Sequence, residues 1–188
     1  MSWSMSLSNP PWVLLQWGAV LGASLTAAVW DLATRRIPNW LTGMLFLTGL
    51  IAAAGFRGGN GLQDALAGAL LMGIPFVLLF VLGGGGAGDA KMMAALGTWL
   101  GVGDAVPTLF CVVICGALSG LTHALAQRRF GSVLANLQRF AWNGILLART
   151  GGQVGSTLSC PSTDQMLATP YGLSIFFGVC LVAGWRLL

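Results

Sequence analysis

Long apolar runs recur along this 188-residue chain and leave little room for anything else. Six stand out: Trp12 to Trp30, Trp40 to Phe56, Leu62 to Leu82, the short Ala90 to Leu100, Ala105 to Leu125, and Thr169 to Leu188. About 20 apolar residues in helical form cross a bilayer core. Inside that core a backbone amide finds no water, so the chain must satisfy its own hydrogen bonds, and a helix does so within one segment. With 56% hydrophobic and 7% charged residues and a mean hydropathy of +0.81, the composition fits a polytopic membrane protein and not a soluble domain. The expected architecture is one all-α integral membrane domain over residues 1–188 with about six transmembrane helices. Met1 to Pro11 carries no basic stretch ahead of the first run and no small-residue cleavage site follows it, so it reads as a short tail and the first segment as retained.

Six crossings put both termini on one side, and the Lys and Arg distribution says which. Arg35, Arg36, Lys91, Arg128, Arg129, Arg139 and Arg149 fall on one side, while Arg57 and Arg186 fall on the other. Cytoplasmic loops carry the positive excess, so both termini are expected on the non-cytoplasmic side. Between the fifth and sixth runs, residues 126–168 form the one long stretch outside the bilayer. There Ser132, Asn136, Arg139 and Asn143 recur opposite Phe130, Val133, Leu134, Leu137, Phe140, Ala141 and Ile145, the pattern of an amphipathic helix lying on the cytoplasmic surface. Its apolar face and arginines suit lipid anchoring, with a substrate-guiding lid as the alternative. Thr150 to Ser162, rich in Gly, Ser and Thr, reads as a loop.

The chain has five acidic residues, all Asp. An acid at membrane depth is costly, and its presence there points to function. Asp31 ends the first run ahead of Thr34-Arg35-Arg36-Ile37-Pro38-Asn39, and Asp89 closes Gly86-Ala87-Gly88-Asp89 ahead of Lys91. The topology, derived from positive charges alone, places both at the cytoplasmic ends of their spans although they lie 58 residues apart. The other three have structural explanations. Asp104, ahead of Ala105-Val106-Pro107, fits a helix N-cap. Asp64 suits the first turn of the third span, where the helix dipole favours negative charge. Asp164 lies in a polar loop and fits a cap at the entry to the last span.

Cys111, Cys115, Cys160 and Cys180 contain no CxxC pair, and His123 is the one histidine. The cysteines read as small hydrophobes, and neither a metal site nor a cofactor is expected. The net charge of +4 belongs to topology signals beside apolar runs, so nucleic acid is not an expected partner.

Leu82-Gly83-Gly84-Gly85-Gly86-Ala87-Gly88 cannot continue a helix cheaply, because each glycine costs about 1 kcal/mol relative to alanine. The third span is therefore expected to break here and to open a polar cavity, since unwound backbone at membrane depth needs protein or water around it. Two bland roles compete with chemistry: Asp89 could N-cap a helix beginning at Ala90, and Asp31 could pair with Arg35 one turn on. Against both stands the shared membrane face. Two carboxylates sharing a proton can activate water as a base and protonate the carbonyl or leaving amine as an acid, so amide hydrolysis needs no other nucleophile. Lys91, two residues beyond Asp89, faces another way and is expected to reach headgroups or loop carbonyls.

Asp31 with Arg35-Arg36-Ile37-Pro38-Asn39, Gly86-Ala87-Gly88-Asp89-Ala90-Lys91, and Pro170-Tyr171-Gly172 at the start of the last span together resemble the type IV prepilin peptidases, polytopic aspartic peptidases of bacterial inner membranes. The second motif matches that family's GxGDxK. The resemblance implies that Asp31 and Asp89 are the catalytic pair, supported by Gly86, Gly88, Lys91, Arg35, Arg36, Pro38, Asn39, Pro170, Tyr171 and Gly172. It implies as substrate a prepilin or pseudopilin precursor whose short basic leader is cut after Gly at the cytoplasmic face, and as partners membrane lipids and pilus or secretion machinery. The larger members carry a cytoplasmic insert with paired CxxC motifs and also N-methylate the product. This chain has neither that insert nor those cysteines, and so resembles the short peptidase-only branch associated with Flp or tight-adherence pili, for which N-methylation and S-adenosylmethionine are not expected.

Other readings of the same residues remain. GxGD also occurs in presenilins and signal-peptide peptidases, but there the first Asp follows Tyr in the span directly before GxGD and a Pro-Ala-Leu motif comes later; here Trp30 precedes Asp31, another span intervenes, and Pro-Ala-Leu is absent. An Asp pair can serve a proton-coupled transporter, although no repeated halves are visible. A non-catalytic assembly scaffold would use Gly18xxxGly22 and Gly116xxxGly120 as dimer faces, whereas such motifs more commonly pack spans within one bundle.

Overall fold

The computed structural model describes residues 11–82, 86–126, 138, 142, 145, 149 and 171–188. Among the described residues, four helices carry the architecture: α1 (Pro11–Thr34), α2 (Asn39–Val81), α3 (Ala87–Ala126) and α4 (Tyr171–Leu187). There is no strand among the described residues. The first three helices are long and apolar enough to cross a membrane, and α4 is a shorter apolar helix. Large apolar side chains such as Ile51, Leu70 and Phe110 point outward along them. That much exposed hydrocarbon is untenable in water, and the protein is an integral membrane protein.

A straight α2 of 43 residues would be about 65 Å long, twice the thickness of a bilayer core. It does not run straight. Gly58 departs from helical geometry at φ 64° and ψ −152°, a conformation open to a residue without a Cβ. On one side of it the Leu45 carbonyl accepts a hydrogen bond from Trp99 Nε1 at 2.9 Å, and Gly49 lies against Thr98. On the other side Gly68 lies against Gly97. Residues 49 and 68 therefore reach the same two turns of α3, which requires α2 to double back at Gly58. α3 does likewise at Gly101, with φ 62° and ψ −178°. Its first leg packs on α2, and its second packs on α4, where Gly116 lies against the Tyr171 ring and Val112 against Gly178. These reversals fall in the gaps expected between the second and third and between the fourth and fifth apolar runs.

The core between the legs holds Trp17, Met72, Met92, Met93, Leu96 and Val179, all fully or almost fully buried. Small residues let the legs approach closely, the common basis of helix packing where lipid supplies no hydrophobic drive. The approach is made at Gly49, Gly68, Gly73 and Gly97. Gly18 and Gly22 instead face open space, as does Gly120, and of the two GxxxG pairs only Gly116 is packed within the bundle. The expectation that both pairs pack spans inside the bundle is met at that one residue.

At the end of the bundle remote from Asp31, the capping role expected of Asp104 falls to Asp64. Asp64 Oδ1 accepts the Val102 amide at 3.0 Å, so it caps the second leg of α3 from across the bundle, while its Oδ2 pairs with Arg57 at 2.8 Å. Asp104 does not act as an N-cap. Its carboxylate pairs with Arg186 at the end of α4 and accepts a hydrogen bond from Gln16 Nε2 of α1 at 3.3 Å. Gly101 turns the chain three residues before Asp104, too early for that side chain to serve the first free amides, and Asp64 is the acceptor that faces them. Cys111, Cys115 and Cys180 are free and only half-buried. Within residues 126–168, Gln138, Trp142, Ile145 and Arg149 are helical and exposed; the remainder of the expected amphipathic helix, Thr150 to Ser162, Cys160 and Asp164 lie outside the described residues.

Candidate active site

α1 ends one turn beyond Asp31. Arg35 takes the left-handed conformation at φ 53° and its amide bonds the Asp31 carbonyl at 2.8 Å, an αL stop on a residue that is not glycine. Thr34 Oγ1 secures the turn by donating to the Trp30 carbonyl at 2.9 Å or the Arg36 carbonyl at 3.1 Å. Pro38 then opens α2 from an extended conformation, φ −67° and ψ 132°, a geometry its ring favours. Trp30 and Trp40 meet edge to face across the turn, 6.3 Å between centroids. Arg35 and Arg36 point to the exterior, whereas Ile37 turns inward and is buried.

Ile37 meets the second motif. A Cβ on Gly88 would come within 3.3 Å of Ile37 Cβ, so the glycine lets the start of α3 lie flush on the turn. A polar link runs beside it: Lys91 Nζ donates to Asn39 Oδ1 at 3.0 Å. The lysine thus finds a carbonyl as expected, but a side-chain carbonyl from the other motif. Two sequence motifs 52 residues apart are in this way one surface.

The helix break after Leu82 is present, with α2 ending at Val81 and α3 starting at Ala87. The helix starts three residues before Ala90, so Asp89 lies in its first turn and not at its cap. Gly86 holds the cap position, its carbonyl accepting the Ala90 amide at 3.3 Å. The Asp89 carboxylate folds back to interact with the Gly86 amide, the acidic half of a capping box. A Cβ on Gly86 would stand 2.9 Å from Asp89 Oδ2. Asp89 is half-buried at this position.

Asp31 is buried, with 8% of its surface exposed, and the ion pair with Arg35 is not among those formed by the described residues. Its Oδ2 instead accepts the Gly172 amide at 2.9 Å. The Asp31 and Asp89 carboxylates lie close enough to interact electrostatically. Tyr171 adjoins both: it precedes Gly172, its phenol feels the Asp89 charge, and its ring stands edge-on to Phe76 at 5.7 Å. Asp31, Arg35, Arg36, Pro38, Asn39, Gly86, Gly88, Asp89, Lys91, Tyr171 and Gly172 are thereby gathered at one end of the bundle; Pro170 lies outside the described residues. The sequence gives no sign of the Ile37–Gly88 contact or of the donor that Asp31 finds in α4, because each joins segments far apart in the chain.

Residues 5–121 match the type IV leader peptidase family. The chain belongs to this family. A curated relative from Escherichia coli O78:H11 (strain H10407 / ETEC), named type 4 prepilin-like proteins leader peptide-processing enzyme, is 35% identical over 118 residues, which cover 58% of this chain and 42% of the relative. The chain thus spans less than half the length of that relative. No solved structure matches it. Within this leader peptidase family member, the matched region contains both Asp31 and Asp89 with the whole of α1 and α2, while Tyr171 and Gly172 lie beyond it.

Proposed function

We propose that this protein is a membrane aspartic endopeptidase that removes the short basic leader from prepilin-like precursors. The observation that carries the reading is that the Asp31 and Asp89 motifs, far apart in sequence, join at one end of the bundle through the Gly88–Ile37 approach and the Lys91–Asn39 hydrogen bond, in a member of the leader peptidase family. In the proposed reaction one carboxylate takes a proton from a water molecule as its oxygen attacks the scissile carbonyl carbon. The other carboxyl, holding the shared proton, donates to the carbonyl oxygen. Collapse of the tetrahedral gem-diol breaks the C–N bond: the protonated member of the pair gives its proton to the departing amine, and the other carboxylate takes a proton back from one hydroxyl of the intermediate. One water is consumed, one acid and one amine are formed, and the pair returns to its single shared proton.

The same reading has six membrane crossings, the two legs of α2 and of α3 each counting as one, with both termini on the non-cytoplasmic side of the bacterial inner membrane. The Asp pair then faces the cytoplasm, where a leader with basic residues would arrive and be cut after Gly. Arg35, Arg36 and Lys91 surround this face, so bulk charge does not attract such a leader; anionic lipid and backbone carbonyls are the proposed recognition elements. Pilus or secretion machinery would receive the product, which leaves without N-methylation.

The test is cleavage of a basic-leader prepilin by purified protein in detergent with a chelator present, wild type beside Asp31→Asn and Asp89→Asn. The new amino terminus is read by mass spectrometry. Wild type should release an unmethylated product cut after Gly, and each variant should lose activity while still inserting in the membrane. Substantial cleavage by either variant would remove that residue from the pair.

A further inference from the structure

Each carboxylate of the pair is met by the backbone of a glycine in a helix N-terminal turn: Asp89 by Gly86 at the start of α3, and Asp31 by Gly172 at the start of α4. The first arrangement is local, three residues apart. The second spans 141 residues and is buried, and it involves a segment beyond the family match.

We propose, on the aspartic peptidase reading given above, that Gly172 is a positioning residue of the reaction: its amide fixes Asp31 Oδ2 and so sets the direction in which the carboxyl faces Asp89 and the attacking water. Among the described residues Asp31 Oδ2 has this one donor and Oδ1 has none. A carboxyl held by one oxygen cannot rotate freely about its Cβ–Cγ bond, so the second oxygen is presented in a fixed orientation. The position must also be small. A Cβ on residue 172 would stand 3.0 Å from both Asp31 Cβ and Asp31 Oδ2, and 3.3 Å from the Ala28 Cα. Two of these three atoms belong to the catalytic side chain itself, so added volume displaces the group that the amide holds. Tyr171, the residue before it, has its ring packed against Phe76 and Gly116. α4 is thus not only a packing helix; its first turn forms part of the reaction centre.

The experiment uses the small number of acids in the chain. Protein labelled with 13C at Asp Cγ has five carboxyl signals, assignable by single Asp→Asn substitutions in the full-length protein in detergent. Gly172→Ala should move the Asp31 signal and leave those of Asp64 and Asp104, at the far end, in place. It should lower kcat by roughly 10- to 100-fold with KM little changed, as expected for displacement of a reacting group by a fraction of an ångström. Gly184→Ala, in the same helix with open space around it, should match wild type in both measurements. Should Gly172→Ala fail to fold, a full-length chain with glycolic acid in place of Gly172 exchanges the N–H for an ester oxygen that cannot donate and adds no side chain, and the same loss of kcat and movement of the Asp31 signal are expected. An unmoved Asp31 signal with wild-type kcat, in either variant, would overturn the inference and leave the peptidase reading standing. A moved Asp31 signal in a protein whose wild type cleaves no prepilin would support the contact and overturn the peptidase reading.

Discussion

Gly97→Ala tests whether the closeness of the α2 and α3 legs is a requirement or an accident. A Cβ on Gly97 would stand 2.6 Å from the Gly68 carbonyl carbon and 2.8 Å from the Ala69 Cα, against 3.4 Å for an ordinary contact. The legs would have to part by about 0.8 Å, and the atoms in the way are backbone, which has no rotamer to change. Overpacking of this kind costs about 1–3 kcal/mol. In water a gain in helix propensity of up to about 1 kcal/mol would offset part of it. In a micelle the separated helices persist, so that gain largely cancels and the packing cost remains. Gly18→Ala, on the same reasoning, adds a methyl group to open space and should stay within about 0.5 kcal/mol of wild type. Thermal unfolding in mild detergent, followed by the fluorescence of eight tryptophans of which Trp17 is almost fully buried, gives the readout. Gly97→Ala should melt several degrees lower, by roughly 2–4 °C per kcal/mol for a chain of this size. Equal melting temperatures for Gly97→Ala and Gly18→Ala would refute the claim that close backbone approach holds the two legs together.

Asp64→Ala removes both the cap on Val102 and the pair with Arg57 and should cost about 1–2 kcal/mol, whereas Asp64→Asn keeps an acceptor for the amide and loses only a partly exposed ion pair, about 0.5 kcal/mol; equal losses in the same melting assay would deny the cap its role. Cleavage should fall on both sides of an optimum pH, since a pair that needs one proton fails with none and with two. A flat rate from about pH 5 to about pH 9 would argue against a shared proton.

What could be read from the sequence followed the reach of each signal. Apolar run length and the Gly83 to Gly88 interruption are local, and the helices, their reversals and the break before Ala87 fall where those signals put them. The positive residues carry information about sidedness, from which Asp31 and Asp89 are expected on one face; the segments that bear them meet through Gly88 on Ile37 and Lys91 on Asn39. Spacing alone failed for Asp104 and Asp64, because the free amides after Gly101 were closer to an acid 38 residues earlier in the chain than to the one beside them. It failed again for the glycines. Gly18 and Gly22 have the familiar four-residue interval and touch nothing, while Gly49, Gly68 and Gly97 make the tight approaches. What a glycine does depends on what faces it, and that is decided by the neighbouring helix. Gly172 belongs to the last span in sequence, but the use of its amide depends on a partner 141 residues away.

The two reversals have a consequence for how the protein meets its surroundings. At Gly58 and at Gly101 the chain turns back within what is otherwise continuous helix, so between Pro11 and Leu188 almost no irregular chain emerges at that end. The turn from Arg35 to Pro38, the interval between Val81 and Ala87, and the stretch that leads from α3 to α4 are all attached to the other end. The end of the bundle that holds Asp31 and Asp89 is therefore where successive helices are joined, and the opposite end is made of two glycine bends. On the six-crossing reading proposed above, a soluble protein that engages the connections between the helices comes from the side on which Asp31 and Asp89 lie.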